Sequence, residues 1–184
     1  RLVTGSIAFP LFMRYWFYRI DRRLYKMDLE FFVVSALAGV MGTYGLLAMA
    51  LWADSLGLPR LDFSRAMANV TYARTFEKDV KPGAGVDAPN TPYWPGMVVI
   101  FMNGIFFALL YSSVVGQWIP IEQAPIKGAI WGIALWFVSG VFYVPFYLRE
   151  GFMLSGIHPL AWLTSLKVHI IYGLFVGWIA PIAS

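Results

Sequence analysis

Residues 31–53 read FFVVSALAGVMGTYGLLAMALWA, an apolar run without a single charge. A bilayer core about 30 Å thick takes roughly 20 residues of helix to cross, so this stretch is long enough to span one. Three more stretches of the same kind follow, at 97–119, 129–147 and 163–182. Within lipid a backbone must satisfy its own hydrogen bonds, which makes each of them a helix rather than an open strand. The fold class expected is all-α: a polytopic four-transmembrane-helix bundle over residues 31–184, preceded at 1–30 by an amphipathic interfacial arm.

Composition agrees. Hydrophobic residues make up 59% of the 184 and charged residues 13%, about half the charged share of a soluble domain. Cysteine is absent, which excludes disulfides, thiolate metal sites, iron–sulfur clusters and thiol nucleophiles. The formal net charge of +4 is no mark of a nucleic-acid partner, because the basic residues gather before the first span, where anionic lipid headgroups are the natural counterpart.

In that arm Met13, Trp16, Phe17, Ile20 and Leu24 fall on one side of a helix, while Arg14, Arg19, Arg22, Arg23 and Lys26 spread over the other. The pattern suits a helix lying in the headgroup plane, or one docked in a partner's groove. The arm itself has no charged start followed by a clean apolar core and a small-residue cleavage site, so it is not expected to be a signal peptide. The basic arm resists translocation, so the positive-inside rule puts the N-terminus in the cytoplasm. Four spans then return the C-terminus there. The 54–94 connection becomes external, with its acidic and basic residues in balance.

Within this connection Asp62 is placed to cap a short helix on which Phe63, Ala66, Met67, Val70 and Ala73 share a face. Such a helix is expected to lie on the outer surface. The prolines and glycines beyond Lys81 predict an extended loop. Tyr93 and Trp94 are interface anchors. Asn69-Val70-Thr71 matches a glycosylation triplet, a pattern too common by chance to carry weight.

Small residues recur at four-residue spacing in every span. Gly39, four after Ser35, and Gly42, four after Ala38, stand in the first, Gly104 and Ala108 in the second, Gly128 and Gly132 in the third, and Gly173 and Gly177 in the fourth. In lipid, helices associate through close packing of such faces, and these eight are the predicted helix-packing positions. Pro145 is expected to bend or unwind the last turn of the third span.

No Asp, Glu or Arg stands at membrane depth, which argues against a proton relay, a voltage sensor or an ion-coupled transporter. Neither paired acids, a nucleophile–base pair nor a metal-ligand cluster is spelled out, so no catalytic or metal-binding residue is assigned and the chain is not expected to be an enzyme. Two polar residues do stand at depth. His169 lies on the Gly173/Gly177 side of the fourth span, and Asn103 at a similar depth in the second. The plain expectation is a hydrogen bond between them, or from each to a backbone carbonyl. The functional alternative makes them cofactor-binding residues, with His169 ligating haem or a chlorophyll-like pigment or bonding a quinone; no cofactor is the default. His158 belongs to the start of the fourth span, and Lys167 reaches for the headgroups.

Gly-Leu-Pro-Arg-Leu-Asp at 57–62, Asn-Gly-Ile-Phe-Phe-Ala-Leu-Leu-Tyr at 103–111, Lys-Gly-Ala-Ile-Trp-Gly at 127–132 and His-Ile-Ile-Tyr-Gly-Leu-Phe-Val-Gly at 169–177 together resemble a family of small, uncharacterised four-span bacterial integral membrane proteins. The resemblance covers residues 31–184 and departs from the pattern at Asn103, where histidine is expected. It implies a multi-pass protein of the bacterial cytoplasmic (inner) membrane and carries no catalytic assignment.

The leading functional expectation is a non-catalytic accessory or structural subunit of a larger membrane assembly, a respiratory or photosynthetic electron-transfer complex above all, with other membrane subunits as partners. The alternative is a quinone-, haem- or pigment-binding protein using His169, and the third is a small oligomeric channel or transporter. Aromatic residues at 18% supply broad surfaces for lipid or partner, and the catalytic inventory is nearly empty.

Single cysteines test the orientation in this cysteine-free chain. Ser55→Cys is expected to react with an impermeant maleimide in intact cells and Ser184→Cys only after permeabilisation. The reverse pattern inverts the topology.

Overall fold

The computed structural model describes residues 27–77 and 92–183. The basic arm, with Arg14, Arg19, Arg22, Arg23 and Lys26, lies outside the described residues, as does the proline-glycine loop beyond Lys81. The described residues form five α-helices: α1 (Leu29–Leu51), α2 (Phe63–Thr71), α3 (Trp94–Leu110), α4 (Ala124–Val138) and α5 (Ala161–Ile179). No strand occurs among the described residues.

Four of the helical stretches are long and apolar enough to cross a membrane: Leu29–Leu51, Trp94–Trp118, Ala124–Leu148 and Ala161–Ile179. Each begins a few residues before the sequence-based boundary, because helix starts are set by caps and prolines rather than by where apolarity begins. Asp28 caps α1, its carboxylate accepting from the Phe31 amide at 2.9 Å. Pro95 and Pro125 stand in the first turns of α3 and α4, where a missing N–H costs nothing.

Glycines decide which helices meet. α4 packs on α5, α5 on α1, and α1 on α3. Between α4 and α5 the contact is backbone to backbone: a Cβ added at Gly128 would strike the Gly173 carbonyl, at Gly132 the His169 carbonyl, and at Gly177 the Ala124 carbonyl. Gly39 of α1 lies against α3, with the Gly104 carbonyl 2.6 Å from where its Cβ would sit, and Gly42 lies against the Tyr172 ring of α5 at 2.8 Å. Ala108 is fully buried in a cluster with Ala38, Tyr111, Tyr172 and Val176. The Tyr172 hydroxyl donates to the Gly104 carbonyl at 2.6 Å and so ties α5 to α3. Buried hydroxyls of Thr43 and Ser112 bond back to Gly39 and Ala108, satisfied within their own helices.

Two spans change pitch. α3 runs on into a π-helical turn, Tyr111–Val115, and α4 into a longer π-helical segment, Ser139–Leu148, which contains Pro145. Around the proline the span is underwound from α- to π-geometry, in line with the expected bend or unwinding, and it continues past Pro145 instead of ending there. Termination comes at Arg149, in the left-handed conformation at φ 58.

α2 sits deeper than a surface helix. Its N-cap is Asp62, whose carboxylate accepts from the Arg65 amide at 3.0 Å. Phe63, Ala66 and Met67 join Leu61 in a core shared with Val144 and Leu148 of the π-helical segment and with Ala161 and Val168 of α5. Burial there beats an interfacial position because the ends of the spans leave an apolar hollow to fill. Hydrogen bonds fix the plug: Thr164 to the Pro59 carbonyl at 3.0 Å, and Arg149 to the Thr75 carbonyl at 2.9 Å. Gly96 lets α3 come up against the Ser64 carbonyl. Asp62 also accepts from the Tyr93 hydroxyl at 3.0 Å and pairs with Arg65 at 3.5 Å. Burial, chiefly, with the Asp62 carboxylate adding to it, raises the Tyr93 phenol above its ordinary pKa. Asn69 is fully buried, which removes the glycosylation triplet from consideration.

Packing through glycine predicts an inverted size rule. Gly132→Leu and Gly173→Leu are each expected to cost about 3 kcal/mol or more, since bulk pushes backbones apart, while Leu174→Ala costs about 1 kcal/mol. Thermal unfolding in detergent measures the difference, and equal losses for all three would contradict the packed-glycine interface.

A lipid-facing cavity as candidate functional site

The row of helices α4–α5–α1–α3 does not close on itself. α3 and α4 share no packing comparable to the other pairs, and across the space between them only rings approach, Trp131 lying 6.4 Å from both Phe107 and Tyr111. Behind those rings is a cavity of about 400 Å³, within the range that holds small ligands. Leu46, Ile100, Leu135 and Val144 supply apolar walls, and Phe63 and Met67 of α2 close the end nearest the cap. No lining residue carries a formal charge.

Besides the ring residues Trp131, Tyr143 and Tyr172, each spanning stretch brings one smaller neutral polar residue or histidine to that lining: Thr43 from α1, Asn103 from α3, Ser139 at the start of the π-helical segment and His169 from α5. All four stand roughly two turns in from the helix ends at the capped face, Leu51, Trp94, Leu148 and Ala161. They form one polar level in an otherwise apolar space.

Their bonding differs. Thr43 is satisfied by Gly39. His169 places Nδ1 2.7 Å from the Ser165 carbonyl. A carbonyl only accepts, so Nδ1 carries the proton and Nε2 keeps a lone pair. Nε2 has no hydrogen-bond partner among the described residues, and neither has the Asn103 amide nor the Ser139 hydroxyl. Of the two plain expectations, His169 meets the second by bonding a backbone carbonyl, and no bond joins it to Asn103: α3 carries Asn103 on the open side, exposed, while the histidine ring is held by its own helix. Trp131 Nε1 and the Tyr111 hydroxyl are buried without partners.

The predicted helix-packing glycines stand at the contacts described above, and the cofactor candidates His169 and Asn103 stand together on one cavity. His158, exposed, accepts from the Leu160 amide at 3.0 Å through Nδ1 and stays outside it. Among the described residues no group of His, Cys, Asp and Glu is arranged to hold a metal ion. Sequence reasoning missed Thr43, Ser139 and Trp131. Counting inward from the helix ends at one face would have found the first two; the position of the Trp131 ring depends on the gap that only the packing creates.

Fold and cavity together define an all-α, four-span membrane bundle whose one open side leads to an apolar chamber with a polar level. The chain belongs to the family of unknown function DUF6789, which it matches over residues 29–184. No curated protein matches it, and no solved structure does.

The tautomer of His169 is a direct test of the site's geometry. With His158→Gln leaving a single histidine, ¹⁵N spectra are expected to show Nδ1 protonated and Nε2 in the unprotonated range. A protonated Nε2 would contradict the Ser165 bond.

Proposed function

We propose that this protein binds a neutral, lipophilic, ring-bearing molecule within the membrane, taken up from the bilayer through the gap between α3 and α4. The carrying observation is the uncharged cavity into which His169, Asn103 and Ser139 bring unmet hydrogen-bonding capacity. Polar groups in an apolar setting cost free energy unless paired, and a ligand with a few polar atoms on an apolar frame pairs them. Quinones and tetrapyrrole pigments belong to this class. Haem fits less well, because its carboxylates would meet no cation in the lining. In this reading the protein is a non-enzymatic component of a bacterial inner membrane, with both termini cytoplasmic and the cavity in the outer half of the bilayer.

The sparse packing between α3 and α4 favours a second reading, in which a helix of another subunit docks against that side, as in an accessory protein of an electron-transfer assembly. A channel gains no support from an apolar, uncharged lining.

Purification from native membranes, followed by absorption spectroscopy, solvent extraction and mass spectrometry, separates these readings. A single lipophilic species near one per chain, reduced severalfold in Trp131→Ala, is the expected result. Recovery of a stoichiometric membrane subunit, with no such species, would replace the binding reading by the accessory one.

A further inference from the structure

The cavity's donors and acceptors are specific enough to narrow the ligand. Because the Ser165 carbonyl engages Nδ1, His169 offers Nε2 purely as an acceptor. Asn103 can both donate and accept. Ser139 is free for either role: Thr43, Ser112 and Ser113 each spend their hydroxyl on the carbonyl one turn back, whereas Ser139 makes no such bond among the described residues. The ligand that meets an obligate acceptor and two adaptable groups is one that carries both a hydroxyl hydrogen and an oxygen able to accept.

We propose, building on the binding reading above, that the site selects a lipophilic quinol, one hydroxyl of which donates to His169 Nε2 while its second oxygen accepts from the Asn103 amide or the Ser139 hydroxyl. The rings of Phe107 and Trp131, 6.4 Å apart, cover the gap, so one of them turns aside as the ligand's ring enters, and an apolar tail is left trailing into the bilayer. Fatty acids and carboxylated tetrapyrroles are disfavoured because no cation stands in the lining among the described residues. A quinone, which has no hydrogen to give, leaves Nε2 unpaired and binds more weakly than its quinol.

The test uses the full-length protein in nanodiscs and three probes of one carbon skeleton: a decyl-substituted benzoquinol, its quinone and its dimethyl ether. Binding is followed by tryptophan fluorescence and checked by equilibrium dialysis. Wild-type protein is expected to bind the quinol about tenfold more tightly than the dimethyl ether, the worth of one hydrogen bond in a site that excludes water. The quinol:ether ratio in His169→Phe should fall to about threefold or less. Comparison within the wild type decides the matter even if the variant does not fold. If both probes bind with equal affinity, quinol selection is wrong and the cavity reading survives. Should none of the three bind, the cavity reading fails with it. A metal tetrapyrrole that co-purifies and is lost in His169→Phe would overturn the proposal in favour of axial ligation through Nε2.

Discussion

The structure depends on one constraint: helices in lipid gain little by hiding apolar side chains from one another, so they must be held by close contact between backbones. Gly128 and Gly132 of α4 and Gly173 and Gly177 of α5 meet that constraint most fully, each glycine standing where a Cβ would strike the other helix's main chain. Gly39 and Gly104 do the same for α1 and α3. Where such faces exist the helices touch along their length. α3 and α4 present no matching faces to each other, and there the bundle stays open. The cavity is the residue of this pairing scheme.

An open side that merely exposed apolar rings would be filled by lipid at little cost and would call for no particular ligand. Polar groups collected there change its character. A histidine ring bonded to its own helix, an amide on the open side and the Ser139 hydroxyl all stand at one level. π-helical turns recur at functional sites, and here Ser139–Leu148 lines the cavity with Ser139, Tyr143, Val144 and Leu148. Pro145 thus bears on the site at a distance, by widening the segment that carries those side chains.

α2 couples the membrane-spanning part to its cap. Asp62 gathers three partners, the Arg65 amide, the Arg65 guanidinium and the Tyr93 hydroxyl, while the Arg65 guanidinium lies 5.5 Å over the Tyr93 ring. The start of α2 and the start of α3 are thereby joined on one side of the cavity. Phe63 and Met67 project from the same short helix into the chamber, so its closed end is made by the connection between two spans rather than by a span. The Tyr143 hydroxyl reaches the Met67 sulfur at 3.5 Å, which links that plug to the π-helical wall.

Four spans, the glycine faces and the cap at Asp62 were legible in the sequence, because each is a local matter: apolar length, small residues on one side of a helix, and a carboxylate one turn ahead of the amide it caps. His169 and Asn103 could also be singled out, as the polar residues that cost most to keep at depth. Which residues share a cavity was not legible, because side chains on α1, α3, α4 and α5 become neighbours only through the order in which the helices pack. The tertiary structure alone decided that Ser165 fixes the His169 tautomer in a ring facing a cavity, that Asn103 faces a gap instead of the histidine, that Pro145 widens its helix, and that α2 fills the bundle's end. Sequence set which helices could approach closely; packing decided where they could not, and the site lies there.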